Sequence, residues 1–228
     1  MKNIQDKAQE FLTDYIEKAS IVAPADVSTY DIPMLWLAVI SASPQDRVKE
    51  LIKIWRSGLD QELSLSIVAL SNQIKEVFVI NKQDTYSLLY AIEAEGEIYF
   101  YEGLNPDTFA TNDEDINRLI KSDEKLNWFY TRLHNGWYFL PAQTLGLLPA
   151  QELFSLDTKE WSLLEGIEVD LNLSKTIAFF HNGAGGYLCL NFEDEQPKGV
   201  LWWNDEEPTI GINFWDYLDE WIKIGLEN

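Results

Sequence analysis

A change of hydrophobic pattern after residue 60 sets the limits on how this chain folds. Three short segments follow, Val77–Ile80, Ser87–Ile92 and Glu97–Tyr101, each rich in β-branched and aromatic residues and separated by polar turns. Segments of this length and composition are typical of strands. Glu95-Gly96 supplies turn residues for a hairpin between the last two. This part of the chain therefore predicts antiparallel strands.

The second half of the chain continues the strand pattern. Ile177–Phe180 and Tyr187–Phe192 bracket the turn Asn182–Gly186, as the two strands of a hairpin would. Gly199–Trp203 predicts a third strand, and Trp137–Leu140 is a further short apolar segment.

Helical patterns lie before, between and after these strands. Apolar residues at three- and four-residue steps predict helices over residues 3–20, from Ser43-Pro44 to Gly58, from residue 112 to Leu133, and from Asn213 onwards. We therefore predict an α+β fold, an antiparallel sheet flanked by helices. A possible joint near residues 103–112 would separate residues 1–111 from residues 112–228.

The charge balance restricts the partners that the protein can bind. Its 228 residues include 17 Lys and Arg against 38 Asp and Glu, which gives a formal net charge of −21. Nucleic-acid binding needs clustered basic side chains, and anionic lipid repels a surface of this sign. We therefore expect no nucleic-acid partner and no membrane binding, and a preference for basic proteins or cations.

Cysteine content and the first residues of the chain predict a cytoplasmic protein. Cys189 is the single cysteine, so it cannot form an internal disulfide or a cysteine-based zinc site. The first 10 residues are polar and lack the apolar core of a signal peptide. The longest apolar run, Met34–Ile40, has 7 residues, against about 20 for a membrane-spanning helix.

The glycine-rich segment Gly183–Gly186 has two interpretations. A phosphate-binding loop would be followed by a helix whose N–H groups face the anion. A strand pattern follows instead, and no lysine is placed as in a P-loop. We therefore predict a tight hairpin turn and no cofactor.

Both histidines, His134 and His181, occur in the tripeptide His-Asn-Gly. Either could act as a general base, because histidine titrates near pH ~6.5. No Gly-x-Ser-x-Gly motif supplies a nucleophile, and Cys189 lies between two leucines of a predicted strand. Asn-Gly turns account for both histidine sites, so we expect no catalytic residue.

Two acidic triplets flank the predicted strand Gly199–Trp203 at its two ends. They lack the alternating ligands and the glycine of an EF-hand loop, and spacing in sequence cannot define a glycosidase pair. Solvated loops and a partner-binding patch are the main interpretations, and we expect no metal site. The triplets are Glu193-Asp194-Glu195 and Asp205-Glu206-Glu207.

The pair Trp202-Trp203 lies close before the second triplet. Neighbouring side chains of a strand point to opposite faces, so one ring is exposed unless both faces of the sheet are covered. An exposed Trp among carboxylates has the composition of a hot spot for a basic protein. We predict a partner-binding surface that comprises Glu193, Asp194, Glu195, Trp202, Trp203, Asp205, Glu206 and Glu207.

Four segments of the second half occur in a characteristic order. They are the helix end Leu133–Trp137, the segment Pro149–Leu153 after a loop, the glycine-to-strand segment Gly183–Phe192, and the helix Phe214–Leu218 after an acidic, Trp-containing strand. This order resembles the SUKH superfamily, the Smi/Knr-type fold. The resemblance covers roughly residues 112–228 and makes residues 1–111 an N-terminal α+β extension. The chain departs from the family pattern at Asn191, where an acidic residue is commoner.

The resemblance implies a non-catalytic intracellular protein that binds a partner protein. The superfamily includes bacterial immunity proteins that neutralise toxins and a yeast regulator of cell-wall synthesis. We therefore expect an immunity protein that neutralises a cognate basic toxin domain, with nucleases among the candidates. A regulatory scaffold of the same fold in a housekeeping or cell-wall pathway is the alternative, and a carboxylate- or metal-dependent hydrolase is a third hypothesis. The oligomeric state stays open.

Overall fold

The computed structural model describes residues 3–27, 31–111, 113–162 and 168–227. The helices are α1 Ile4–Tyr15, α2 Trp36–Ser41, α3 Pro44–Leu59, α4 Ser64–Gln73, α5 Glu114–Ser122, α6 Glu124–Trp128 and α7 Phe214–Glu227. The strands are β1 Ala19–Val22, β2 Ile74–Lys82, β3 Thr85–Ala94, β4 Glu97–Leu104, β5 Trp137–Phe139, β6 Thr144–Leu147, β7 Phe154–Ser155, β8 Thr176–His181, β9 Gly186–Asn191, β10 Lys198–Trp203 and β11 Thr209–Ile212.

The strands form one sheet of 11 strands in the order β1-β2-β3-β4-β5-β6-β8-β9-β10-β11, and β7 pairs with β8 beside this path. Every pair of neighbours is antiparallel. The predicted α+β fold with an antiparallel sheet and flanking helices is therefore confirmed.

Helices and an irregular segment cover the two faces of the sheet. On one face, α2, α3, α4 and α7 pack in the largest apolar core, which contains the buried rings of Trp36, Trp55 and Trp137. On the opposite face, α1 covers β2, β3 and β4. Residues 154–161 and 169–173 cover that face of β8, β9 and β10. Strands that are covered on both sides explain why so many of their residues are apolar.

The sheet and its core continue across the predicted joint near residues 103–112. Tyr101, Glu102 and Gly103 of β4 pair with β5, which lies beyond the joint. The largest apolar core contains residues from both sides as well. The division into residues 1–111 and 112–228 stays a prediction about the sequence, and both segments contribute to this sheet.

The predicted helix over residues 3–20 is wrong in its last part. Helix α1 ends at Tyr15, the chain turns at Lys18 with a φ of 61°, and residues 19–22 form the edge strand β1. Apolar residues of this strand pack on the same core as α1. Their spacing continues the three- and four-residue periodicity of α1, which is why the sequence predicted a longer helix.

The predicted helix that ends before His134 is divided in the structure. Asp123 follows α5, and its carboxylate accepts hydrogen bonds from the backbone N–H groups of Lys125 and Leu126 at 2.8 and 2.9 Å, which caps α6. A π-helical turn, Phe129–Leu133, completes the segment. Helix α4 and strands β6 and β11 were not predicted from the sequence.

A buried carboxylate of α7 attaches this helix to α4. The backbone N–H groups of Leu65 and Ser66 donate to Asp219 Oδ2 and Oδ1 at 2.9 and 2.7 Å. The first N–H groups of a helix lack an intrahelical acceptor, and Leu63 at the N-cap of α4 makes no side-chain cap. Asp219 supplies this cap from another helix and so fixes the position of α7.

Candidate functional site

The two acidic triplets lie at opposite ends of β10. The 193–195 loop joins β9 to β10, and the 205–207 loop joins β10 to β11. Six strand residues span roughly 17 Å at ~3.3 Å per residue, so the triplets form two separate patches. All of their side chains are exposed, as a solvated loop or a partner surface requires. The predicted surface therefore divides into two candidates.

The paired tryptophans lie on opposite faces of β10, and both faces are covered. Trp202 has 0% exposure and packs against Trp161 at 5.4 Å between ring centroids. Trp203 is half-buried against Trp221 of α7 at 6.0 Å and lies over Gly186 of β9. Trp202 therefore cannot contact a partner in this structure, and Trp203 presents only part of its ring.

Three neighbouring carboxylates in the 193–195 loop have different surroundings. Glu193 accepts a hydrogen bond from Asn172 Nδ2 at 3.3 Å. Asp194 pairs with Lys198 at 2.5 Å, and this pairing raises the pKa of Lys198. Glu195 makes no hydrogen bond or ion pair with any residue that the structure describes. Glu195 is thus the carboxylate of this loop that remains available.

Glu195 lines a cleft of about 410 Å³, which we call the Trp215 cleft. Trp215 lies in the first turn of α7, where its backbone N–H donates to Asn213 Oδ1 at 3.1 Å and its ring packs edge-on against Phe214. Asp123, the cap of α6, also lines the cleft. An indole face near carboxylates is the setting that attracts a Lys or Arg side chain. The cleft also includes Ser122, Gln196, Pro197 and Ile212.

The sequence predicted the helix that contains Trp215 but not a role for Trp215 in a binding site. Trp215 belongs to the predicted α7, and helical periodicity assigned its neighbours to the core. Its partial exposure depends on where α7 meets the loop after β9, and no local pattern encodes that.

The 205–207 loop differs from the 193–195 loop in two respects. Asp205, Glu206 and Glu207 make no ion pair with the described residues. None of the clefts described in this protein includes them. This loop carries exposed charge outside those clefts, which suits long-range attraction.

The glycine-rich segment is a hairpin turn between β8 and β9, as predicted. The backbone N–H of Asn182 donates to the Gly186 carbonyl at 3.0 Å. Its side-chain Oδ1 accepts from the N–H groups of Ala184 and Gly186 at 2.9 and 2.8 Å. Gly183 and Gly185 have φ values of 80° and 86°, which favour glycine. These N–H groups already have an acceptor within the turn, so they do not form a phosphate cradle.

His134 is fully buried in the aromatic core. Trp55 Nε1 donates to Tyr90 Oη at 3.1 Å, and Tyr90 Oη lies 2.5 Å from His134 Nε2. Since the Tyr90 hydroxyl already accepts from Trp55, we assign its hydrogen to His134 Nε2, which leaves the imidazole hydrogen on Nδ1. Burial lowers the pKa of His134 to about 3. This imidazole is a neutral structural group at physiological pH.

His181 has a different environment at the end of β8. Its ring stacks on Tyr187 at 4.6 Å, and half-burial lowers its pKa, with a further contribution from Lys159. Among the described residues, neither His181 nor His134 hydrogen-bonds to a carboxylate. The arrangement that orients a catalytic base is therefore not found at these two rings.

A buried carboxylate in β4 was missed from the sequence. Glu102 has 0% exposure, and Lys82 Nζ lies 2.7 and 2.9 Å from its two oxygens. Ser87 Oγ donates to Glu102 Oε1 at 2.6 Å, and Tyr138 Oη donates to Oε2 at 3.3 Å. Burial raises the pKa of Tyr138, and the Glu102 charge adds to this effect. The sequence does contain an indication of this site, since Glu102 directly follows the predicted strand Glu97–Tyr101.

The Glu102 network borders a cleft of about 280 Å³ near the end of α1, lined also by Ala142 and Gln143. Each oxygen of Glu102 already has two polar neighbours, one of them the Lys82 ammonium. The network therefore joins four neighbouring strands, β2 to β5.

Comparison of the chain with protein-family models, curated proteins and solved structures finds no significant match. Within the described ranges, no group of three His, Cys, Asp or Glu side chains is arranged to hold a metal ion. No helix in the part of the chain that the structure describes is long and apolar enough to cross a bilayer. The resemblance to the SUKH superfamily stays a prediction from sequence motifs.

Proposed function

We propose that this protein is a non-catalytic binding protein that captures a basic partner protein at the Trp215 cleft. One observation carries the proposal: Glu195 has no partner among the described residues, and it lines a cleft of about 410 Å³ together with Trp215. A Lys or Arg side chain from the partner would place its charge beside Glu195 and over the indole ring. Such contacts are worth about 0.5–2 kcal/mol, more when they are desolvated.

The net charge of −21 supports the proposal through the rate of association. A strongly negative protein attracts a positive partner over long distances and speeds productive encounter. Exposed charges are screened over about 8–10 Å at physiological ionic strength, so salt would slow the encounter. The 205–207 loop contributes to this attraction without forming the contact.

The resemblance to the SUKH superfamily assigns the partner class within this proposal. It favours an intracellular immunity protein that covers the active site of a cognate basic toxin and so blocks access to it. A regulatory scaffold would use the same cleft with a different partner. A neighbouring gene that encodes a toxin distinguishes the two, since a scaffold has no reason to be encoded beside one.

The test is a pull-down with the full-length chain against the products of neighbouring genes, at low and at high salt. We expect capture of one basic protein, release by salt, and loss of its toxicity in the complex. The double variant Glu195→Lys, Trp215→Ala should lose capture while its circular dichroism spectrum stays unchanged. Capture that persists in this variant would remove the Trp215 cleft from the interface.

A further inference from the structure

The edge strand β1 leaves part of β2 uncovered. β1 pairs with residues 79–82 of β2, and Pro24 begins a 3₁₀ turn that takes the chain away from the sheet. Proline lacks the N–H group that a strand ladder requires. Within the described ranges, residues 74–78 of β2 therefore have a strand neighbour on the β3 side alone.

A cleft of about 460 Å³ lies at this uncovered edge. Its walls come from both faces of the sheet, with Gln5 of α1 on one side and Val39 and Ile40 of α2 on the other. The floor includes β2 itself, from Glu76 to Val79. This volume lies within the range of ~300–1,000 Å³ that is typical of ligand sites.

One ion pair connects residues from the two faces of the sheet at the open edge of β2, Arg47 and Glu76. Val77 packs in the core under α3, whereas Phe78 packs under α1, so alternation places Glu76 on the α1 face. Arg47 of α3 nevertheless reaches Glu76, with Nη1 at 3.8 Å from Oε1. This contact is possible because no strand lies between them.

The same pair contains polar atoms without hydrogen-bond partners. Arg47 Nε and Glu76 Oε1 are both inaccessible to solvent and have no hydrogen-bond partner in the described structure. A buried polar group without a partner costs about 1–3 kcal/mol. Once the two side chains move apart, a ligand that carries one acceptor and one donor would satisfy both atoms, and a peptide group carries this combination.

We infer that the cleft at the open edge of β2 binds an extended peptide segment from a partner protein, which adds a strand to the sheet where β1 leaves it. The uncovered main chain of residues 74–78 gives the ladder, and Arg47 and Glu76 bind one peptide group of the segment. The segment has small or β-branched apolar residues at alternate positions, because Val39, Ile40 and Val77 line one wall.

This site is separate from the Trp215 cleft and independent of the proposed function. It lies at the β1 end of the sheet, whereas Trp215 follows β11 at the other end. Its recognition uses main-chain hydrogen bonds and apolar contacts, so salt should affect it little. The double variant Glu195→Lys, Trp215→Ala should therefore leave peptide binding unchanged.

The test selects displayed random pentapeptides on the full-length protein and measures the selected peptides in synthetic, capped form. We expect extended, β-branched sequences that lose about tenfold or more in affinity when alternate amides on one edge are N-methylated. N-methylation of the other edge should have little effect. Ala23→Trp, at the exposed mouth of the cleft, should abolish binding.

Amide chemical shifts of the wild-type protein make the test independent of whether the Ala23→Trp variant folds. The inference predicts shifts concentrated at residues 76–79 on addition of a selected peptide. It is overturned if no peptide is selected, if N-methylation of the two edges has equal effects, or if the shifts map elsewhere.

Discussion

Two sets of carboxylates in this protein differ in whether other residues neutralise their charge. Glu102 and Asp219 are buried, and each of their side-chain oxygens has at least one named donor. Glu195 and the 205–207 loop are exposed and pair with none of the described residues. The buried group contributes to the stability of the fold, whereas the exposed group contributes little to it and remains available to a partner.

The largest expected effect comes from removing the cation of the buried group. Lys82→Met leaves the Glu102 carboxylate buried without its ion pair, so we expect a loss of about 3–5 kcal/mol in the free energy of unfolding. Urea unfolding of the wild type and the variant measures this loss. Lys75→Met is the matched control. The Lys75–Glu93 pair has an N–O distance of 2.8 Å, close to the 2.7 Å of the Lys82–Glu102 pair, but it is substantially exposed. The control should lose less than about 1 kcal/mol, and equal losses would contradict the comparison.

The second effect concerns the cap that Asp219 provides to α4. Asp219→Ala removes the acceptors of two backbone N–H groups, that of Ser66 buried and that of Leu65 partly buried, and we expect a loss of about 2 kcal/mol or more in the free energy of unfolding in urea. Glu220→Ala, at the next and exposed position of α7, should change stability by less than about 0.5 kcal/mol. A neutral Asp219→Ala result would show that α7 is held by its apolar face alone.

The third effect is a pH dependence of the free energy of unfolding that arises from the buried His134. The pKa of His134 is about 3 in the folded protein against 6.5 in the unfolded chain, so the unfolded chain binds more protons between these values and stability falls as the pH falls. From pH 7 to pH 5 we expect a loss of about 2 kcal/mol through this group.

Urea unfolding at the two pH values measures this loss. His134→Gln should flatten the pH dependence, because glutamine takes up no proton in either state. His181→Gln, at the half-buried histidine, should retain most of it. An equal pH dependence in the wild type and His134→Gln would contradict the assignment.

The smallest effect on stability is expected at the exposed group. Reversal of Asp205, Glu206 and Glu207 to lysine adds 3 × 2 = 6 charges and takes the net charge from −21 to −15. The free energy of unfolding should change by less than about 0.5 kcal/mol or rise slightly, because self-repulsion decreases. Thermal unfolding provides the measurement, and a large loss would show a structural role for this loop.

Local patterns predicted the strands and hairpins because alternation and turn residues act over a few neighbours. The turn at Asn182–Gly186 and the hairpin after Glu95-Gly96 needed no information from distant residues. The end of α1 at Tyr15 was missed, because the apolar residues of β1 continue the helical spacing.

Environment could not be predicted in the same way, as the tripeptide His-Asn-Gly shows. The two copies have the same sequence, yet His134 is buried under α2 and α3 and His181 is half exposed. In both, the asparagine side chain binds backbone N–H groups, Ala150 in one and the glycine-rich turn in the other. The elements that pack from elsewhere decide the chemistry of each ring.

The same reason explains where the residues of the predicted partner surface lie in the structure. Alternation correctly placed Trp202 and Trp203 on opposite faces, but coverage of both faces depends on residues 154–161 and 169–173 and on α7. The acidic side chains are exposed, since no apolar contact draws them inwards. Trp215 enters the site because α7 begins beside the loop that carries Glu195.

The most direct test of the account measures the binding kinetics of the captured basic partner. It compares the wild type with two variants over a range of salt concentrations. The first is the double variant Glu195→Lys, Trp215→Ala, and the second is the triple variant Asp205→Lys, Glu206→Lys, Glu207→Lys. The account predicts faster dissociation for the first variant, and for the second a slower, less salt-dependent association with unchanged dissociation. Unchanged dissociation in the first variant would contradict the claim that the partner contacts the Trp215 cleft.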